Sequence, residues 1–189
     1  LLPGSRRSEA LRMAPILLEA ADRLAERRPG IRFVVPVAGP QVAQVLDEVQ
    51  SEAGPSDLVR CSDSVTATAA ADCAAVTSGT ATLETAVVGT PLIVLYKLSP
   101  VTYWFARRLV QVPYIGMVNL IAGREVAPEL LQEDCEPETV AAALDELLAD
   151  PERLARARAD LTQVRETLGS EPSERAAEVV AGFLGHDQA

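Results

Sequence analysis

The sequence predicts an α/β fold built on a doubly wound parallel sheet, and three observations carry that expectation. Apolar strand-like runs and amphipathic helical stretches alternate five times along the chain. The central run Cys73–Val76 is short and continuously apolar, as a parallel strand covered on both faces should be. Small-residue turns, Gly4-Ser5-Arg6 and Ser78-Gly79-Thr80, follow directly on strands. In such folds ligands bind at the carboxyl ends of the strands.

Leu1-Leu2 reads as a strand end, Pro3-Gly4-Ser5-Arg6 as a tight turn and Arg7 onward as a helix start. Because a strand needs about five residues and no initiator Met is present, the chain reads as part of a longer protein. Apolar positions Leu11, Ala14, Leu17, Leu18, Ala21, Leu24 and Ala25 recur at helical spacing until Pro29-Gly30 ends the helix. Ile31–Val37 is a β-branched strand, and Pro40–Ser51 a helix with Val42, Val45, Leu46 and Val49 on one face. Leu58–Cys61 is a short strand and Ser64–Ala71 a short Ala-rich helix.

The stretch from Ala71 to Tyr96 organises the rest. After Cys73–Val76 comes the Ser78-Gly79-Thr80 turn, with Thr80 expected as N-cap of a helix running to about Val88, then a second strand ending at Tyr96. A helix N-terminus presents unpaired backbone N–H groups and partial positive charge, so a phosphate can sit there. Glu84, one helical turn on, could accept hydrogen bonds from ribose hydroxyls; a solvated Glu beside an ordinary turn is the plain alternative. Gly4, Ser5 and Arg6 sit at another helix N-terminus, where a guanidinium could hold a second phosphate or simply lie in water. Neither turn matches G-x-G-x-x-G or a Walker A loop, which disfavours NAD and FAD and fits a nucleoside diphosphate better.

Ser99-Pro100 reads as an N-cap and N1 pair for a helix over about residues 101–110. Five of the seven aromatic residues fall between Tyr96 and Tyr114, and Tyr103-Trp104-Phe105 precedes Arg107-Arg108. Such a helix could lie in a membrane interface or flank an acyl-chain groove, or pack on the core with its arginines in water. The segment from Val112 to Leu131 carries many polar interruptions and reads as a long loop, hence a functional one. Helices are expected over Pro137–Ala149, Pro151–Leu168 and Glu171–Leu184.

Composition narrows the chemistry. At 189 residues, with 48% apolar and 23% charged residues, the chain can bury a full core. The three cysteines have no metal-type spacing, and His186 is the single histidine, so a His-based triad or multi-His metal site is excluded within the chain. The net charge of −10 lies in the last third, since residues 1–124 are near balance; a general nucleic-acid surface is not expected.

Four ordered blocks, Leu1-Leu2-Pro3-Gly4-Ser5-Arg6, Thr77-Ser78-Gly79-Thr80-Ala81-Thr82-Leu83-Glu84, Val94-Leu95-Tyr96-Lys97, and Asn119-Leu120-Ile121-Ala122-Gly123-Arg124 with Pro128-Glu129-Leu130-Leu131-Gln132, resemble the C-terminal half of the lipid-A-disaccharide synthases. That family resemblance, running to about residue 185, implies the Rossmann-like C-terminal domain of a GT-B glycosyltransferase. Residues 1–150 would form the UDP-sugar domain and 151–189 the C-terminal helices completing or bridging it, with the N-terminal acceptor domain outside this chain. It implies transfer from UDP-2,3-diacylglucosamine to 2,3-diacylglucosamine 1-phosphate (lipid X), with no cofactor and no metal. By motif, Gly4, Ser5, Arg6, Ser78, Gly79 and Thr80 would hold the donor diphosphate, Arg6 would stabilise the leaving group and Glu84 would take the ribose. Asn119, Arg124, Glu129 and Gln132 would line the cleft, and the base is expected in the other domain. The family loop commonly reads Leu-Pro-Asn where Met117-Val118-Asn119 stands here. Diacylated substrates imply peripheral contact with the cytoplasmic face of the inner membrane of a Gram-negative-type bacterium, through Tyr103, Trp104, Phe105, Arg107 and Arg108. The C-terminal helices could mediate a homodimer. Competing readings are another UDP-sugar GT-B enzyme, such as an N-acetylglucosaminyltransferase or a UDP-sugar 2-epimerase, or a non-catalytic nucleotide-binding module. The Asn-Leu-Ile-Ala-Gly-Arg and Pro-Glu-Leu-Leu-Gln blocks favour the lipid A enzyme.

Overall fold

The computed structural model describes residues 1–50, 52–99, 103 and 112–169. Among them the chain runs α1 (Arg7–Arg27), β1 (Val34–Pro36), α2 (Pro40–Gln50), β2 (Val59–Cys61), α3 (Ser64–Ala69), β3 (Ala74–Thr77), α4 (Thr80–Val88) and β4 (Leu92–Tyr96). It continues through α5 (Met117–Ala122), β5 (Glu129–Leu131), a 3₁₀ turn (Gln132–Asp134), α6 (Pro137–Ala149) and α7 (Pro151–Leu168).

All strand pairs are parallel. β1 pairs with β2, and β4 lies between β3 and β5. Leu1 and Leu2 join these two ladders. The Leu1 nitrogen donates to Val34 O at 2.8 Å, the Leu2 amide to Ala75 O at 2.8 Å, and the Thr77 amide to Leu2 O at 3.0 Å. The resulting order is β2, β1, Leu1-Leu2, β3, β4, β5. From Leu1-Leu2 the chain builds outward to β2, then crosses back to β3 on the other side. The order therefore reverses between Leu2 and β3.

Strand residues alternate between two apolar layers, as the period of two requires. Ala75, Ile93 and Leu95 face Met13, Ile16, Leu17 and Leu24 of α1 and Val140, Ala141 and Leu144 of α6. Leu2, Ala74, Val76, Leu92 and Val94 face Ala86 of α4, Val118 of α5 and Leu161 and Val164 of α7. A third cluster joins Ala10, Ala14 and Leu18 of α1 to Val35 and to Val42, Val45 and Leu46 of α2. Both faces of the sheet are covered, and α7 packs into the same body as the strands. Arginines 23 and 27 of α1 grip Glu138 of α6, and Arg28 grips Asp145, so the two helices are also tied at their rim.

Local signals set many element ends. Asp150 caps α7, accepting from Glu152 N at 2.9 Å and Arg153 N at 3.0 Å, with Pro151 in the first helical position. Asp63 caps α3, and bonds from the Thr66 side chain and amide hold its carboxyl below the usual range. The strand expected over Ile31–Val37 is regular only at Val34–Pro36, where β2 runs alongside it. The three cysteines are free: Cys135 is buried, Cys61 and Cys73 half-buried, and burial pushes the Cys73 and Cys135 thiols up to about 11.

Ile93 is fully buried in the middle strand of the three-stranded ladder. Ile93→Ala is expected to cost about 2–5 kcal/mol, read from the shift in the denaturant midpoint at constant slope.

Candidate functional site

Open parallel sheets take ligands beyond the carboxyl ends of the strands, where the strand order reverses. Here that point lies between Leu2 and β3, and the two turns leaving it are Pro3–Arg6 and Ser78–Thr80. The structure therefore brings both predicted phosphate turns to one edge.

In the first turn Gly4 has φ +101°, and a Cβ there would lie 2.7 Å from both Cβ and Oε2 of Glu9. Only glycine satisfies both constraints. Arg6 is the extended N-cap of α1. The Ser5 and Arg6 amides donate to Glu9 Oε2 at 3.2 and 3.3 Å, and Arg6 Nη1 to Glu9 Oε1 at 2.6 Å. Three donors expected to meet a phosphate thus converge on one carboxylate of the chain itself. Sequence reasoning missed Glu9; a Glu three positions after an N-cap was the available signal.

In the second turn the Ser78 amide donates to Leu95 O at 2.8 Å and Ser78 Oγ to Ile115 O at 3.4 Å. The N-cap of α4 is Gly79, not Thr80 as expected: the turn closes one residue earlier and Thr80 is the first helical residue. Buried Thr82 performs the side-chain tie instead, donating from Oγ1 to Gly79 O at 2.7 Å. Glu84 is exposed and accepts from Ser64 Oγ at 3.2 Å. Since Ser64 opens α3 just after β2, the Glu84 carboxylate lies toward the same carboxyl edge.

The far end of that edge is held by charged side chains. Lys97, just after β4, donates from Nζ to Cys135 O at 3.0 Å and Glu136 Oε1 at 2.6 Å. Its own carbonyl accepts from Arg12 Nη1 at 2.9 Å. Beside it, Gln132 follows β5 with φ +51°, the one non-glycine residue with positive φ among those described. Gln132 is buried, yet its Nε2 has no partner among the described residues. Thr77 Oγ1, at the end of β3, is likewise buried and unpartnered among them. Left-handed backbone at a non-glycine residue costs about 1–3 kcal/mol and gathers at functional positions, and unpaired buried donors are rare. The Thr77 and Arg12 side chains carried no sequence signal of this kind.

Two expectations need correction. The segment Val112–Leu131 is not an open loop: it contains α5 and β5, with Val118, Asn119 and Ala127 fully buried. Asn119 does not line a cleft. Its Nδ2 donates to Ala127 O at 2.7 Å and Glu129 Oε1 at 2.8 Å, while its Oδ1 accepts from the Val126 and Ala127 amides at 2.8 and 2.9 Å. Glu129 in turn accepts from the Ile115 and Gly116 amides at 2.8 and 2.9 Å. Polar residues that suggested a loop are the internal hydrogen-bond partners of a folded segment. Arg124 pairs with Asp160 at 2.6 Å and Gln163 at 3.2 Å on α7, and the Asp160 bond raises its pKa. The helix expected over 101–110, with Trp104, Phe105, Arg107 and Arg108, and that over Glu171–Leu184 lie outside the described residues; Tyr103 is helical, its amide bonded to Ser99 O at 2.9 Å.

A cavity of about 770 Å³ opens at the opposite, amino ends of the strands, lined by Leu24, Phe33, Val59, Cys73, Leu144 and Leu148 among others. None of the predicted site residues lines it. No group of three or more metal-ligating side chains occurs among the described residues, and none of their helices is long and apolar enough to cross a membrane.

A family model described as lipid-A-disaccharide synthetase matches residues 1–183. The chain belongs to the lipid-A-disaccharide synthase family. It is 39% identical over 186 residues to the lipid-A-disaccharide synthase of Geobacter metallireducens, covering 98% of this chain and 48% of that one. It is 42% identical over 183 residues to that of Syntrophus aciditrophicus (96% and 48%) and 41% over 190 residues to that of Gluconobacter oxydans (97% and 45%). The chain spans about half the length of the curated relatives it matches.

Asn119→Ala removes four hydrogen bonds at a fully buried position. It is expected to destabilise by about 3 kcal/mol, measured by chemical unfolding, with earlier amide exchange at Gly116, Val126 and Ala127.

Proposed function

We propose that this chain is the donor-nucleotide half of a glycosyltransferase of lipid A biosynthesis. The complete enzyme joins UDP-2,3-diacylglucosamine to 2,3-diacylglucosamine 1-phosphate and releases UDP. The observation that carries the reading is the Gly4–Arg6 turn, where two amides and a guanidinium converge on one anionic group beside the point of strand reversal. Membership of the family supports the reaction class.

In the transfer, the acceptor 6-hydroxyl oxygen bonds to the donor anomeric carbon as the bond from that carbon to UDP breaks. The hydroxyl proton goes to a base in the N-terminal half, and the bonding pair leaves on the UDP phosphate. Negative charge therefore grows on the diphosphate, where preorganised donors are most effective. Arg6, the Ser5 and Arg6 amides and the first turn of α4 supply those donors without a metal. Glu84 accepts from the ribose hydroxyls, replacing Ser64 as its partner. Gln132 offers its unpaired Nε2 to the donor, which accounts for a strained, buried amide at the edge. The anomeric centre inverts, giving a β-1,6 linkage. Asn119, Glu129 and Arg124 act indirectly, by holding the folded segment that flanks Ser78.

The diacyl chains of both substrates place the enzyme at a bilayer, peripherally on the cytoplasmic face of the inner membrane. Tyr103, Trp104 and Phe105 with Arg107 and Arg108 supply the contact.

Calorimetric titration of the full-length protein with UDP tests the nucleotide site. Arg6→Ala, Glu84→Ala and Gln132→Ala are each expected to weaken binding about tenfold or more with unfolding midpoints held near wild type. Wild-type affinity in all three would remove the proposed site. A product assay with lipid X beside a soluble sugar acceptor separates lipid A synthesis from other UDP-sugar transfer. Changing Tyr103, Trp104 and Phe105 together to Ser should reduce co-sedimentation with anionic liposomes, and unchanged sedimentation would rule out that contact.

A further inference from the structure

Glu9 is placed where the proposed ligand's charge belongs. Its two oxygens take the Ser5 amide, the Arg6 amide and Arg6 Nη1. The missing Cβ of Gly4 leaves no spare room beside it, since a methyl there would overlap Glu9 Cβ and Oε2. A phosphate oxygen cannot share these donors with the carboxylate: each amide has one hydrogen, and two anions in one cradle repel. The carboxylate is also weakly held. Arg6 is 78% exposed and Glu9 28% exposed, a setting in which ion pairs exchange readily with solvent and other ions.

A second polar group, on the strand beside this turn, is unsatisfied among the described residues. Thr77, whose amide bonds Leu2 O just upstream of Pro3, carries a buried hydroxyl with no partner among the described residues. It lies on the same face of β3 as Ala75, the face packed on α1.

We propose that Glu9 is the internal competitor of the ligand phosphate: its carboxylate fills the anion subsite of the Gly4–Arg6 turn in the empty protein and leaves it when a nucleoside diphosphate binds. The proposal rests on the nucleotide reading above and adds a residue that tunes its phosphate affinity. A neutral nucleoside brings no anion to the turn and leaves Glu9 in place, whereas a diphosphate must displace it, so the competition acts on phosphorylated ligands alone. Glu9 then serves as an N-terminal cap in one state and swings to solvent in the other.

The test uses the full-length protein, titrated with UDP and with uridine, as wild type, Glu9→Gln and Arg6→Ala. Glutamine keeps an acceptor oxygen for the capping bonds, so the fold is retained, but it removes the competing charge. The expected result is UDP binding about three- to fivefold tighter in Glu9→Gln, with uridine affinity unchanged and the thermal midpoint within a few degrees of wild type. Unchanged or weaker UDP binding in Glu9→Gln, with Arg6→Ala still impaired, overturns the competitor role and leaves Glu9 a cap or a support for Arg6. If wild type and Arg6→Ala bind UDP equally, or neither binds, the nucleotide reading itself fails and this proposal fails with it.

Discussion

Three backbone hydrogen bonds made by Leu1 and Leu2 hold the two halves of the sheet together. Without them β1-β2 and β3-β4-β5 are separate ladders, each with an unpaired edge where the other should be. With them the order reverses at one place, and the turns leaving that place arrive side by side. The position of the candidate site is therefore set by main-chain pairing. Side chains then decide what the site can hold. Leu2 adds to this by packing with Val76, Val94 and Leu161, so the junction is apolar as well as hydrogen-bonded.

Features with local causes were legible in the sequence. The bounds of α6 and α7 follow from a proline at the first position of each and from Asp150 between them. Burial of β3 and β4 on both faces was readable from their unbroken apolar runs, and the alternation of elements implied the parallel sheet. The two turns were visible because glycine and small polar residues directly after a strand let the backbone reverse sharply without side-chain bulk.

What escaped depends on contacts between residues far apart in the chain. Asn119 and Glu129 looked like polar residues of a loop because nothing local shows that the Asn119 amide group satisfies the main chain of residues 126–127 or that Glu129 does so for 115–116. The left-handed backbone of Gln132 is imposed by the turn from β5 into α6, a tertiary demand that overrides residue preference. Thr80 has good capping chemistry, yet Gly79 takes the cap in extended backbone and the Thr82 hydroxyl ties back to its carbonyl. Glu9 was the one locally visible signal passed over, since a capping glutamate and a ligand-site glutamate look alike in sequence.

The cysteines offer a practical consequence. Thiolates, not thiols, react with alkylating reagents, and burial keeps Cys73 and Cys135 protonated at neutral pH. Cys61 ends β2 and is partly open to solvent, immediately before the α3 cap whose Ser64 touches Glu84. A maleimide dye supplied at neutral pH would therefore partition to Cys61 over the other two described thiols. The protein carries its own attachment point for a fluorescent reporter, three residues before the Ser64 hydroxyl that bonds Glu84.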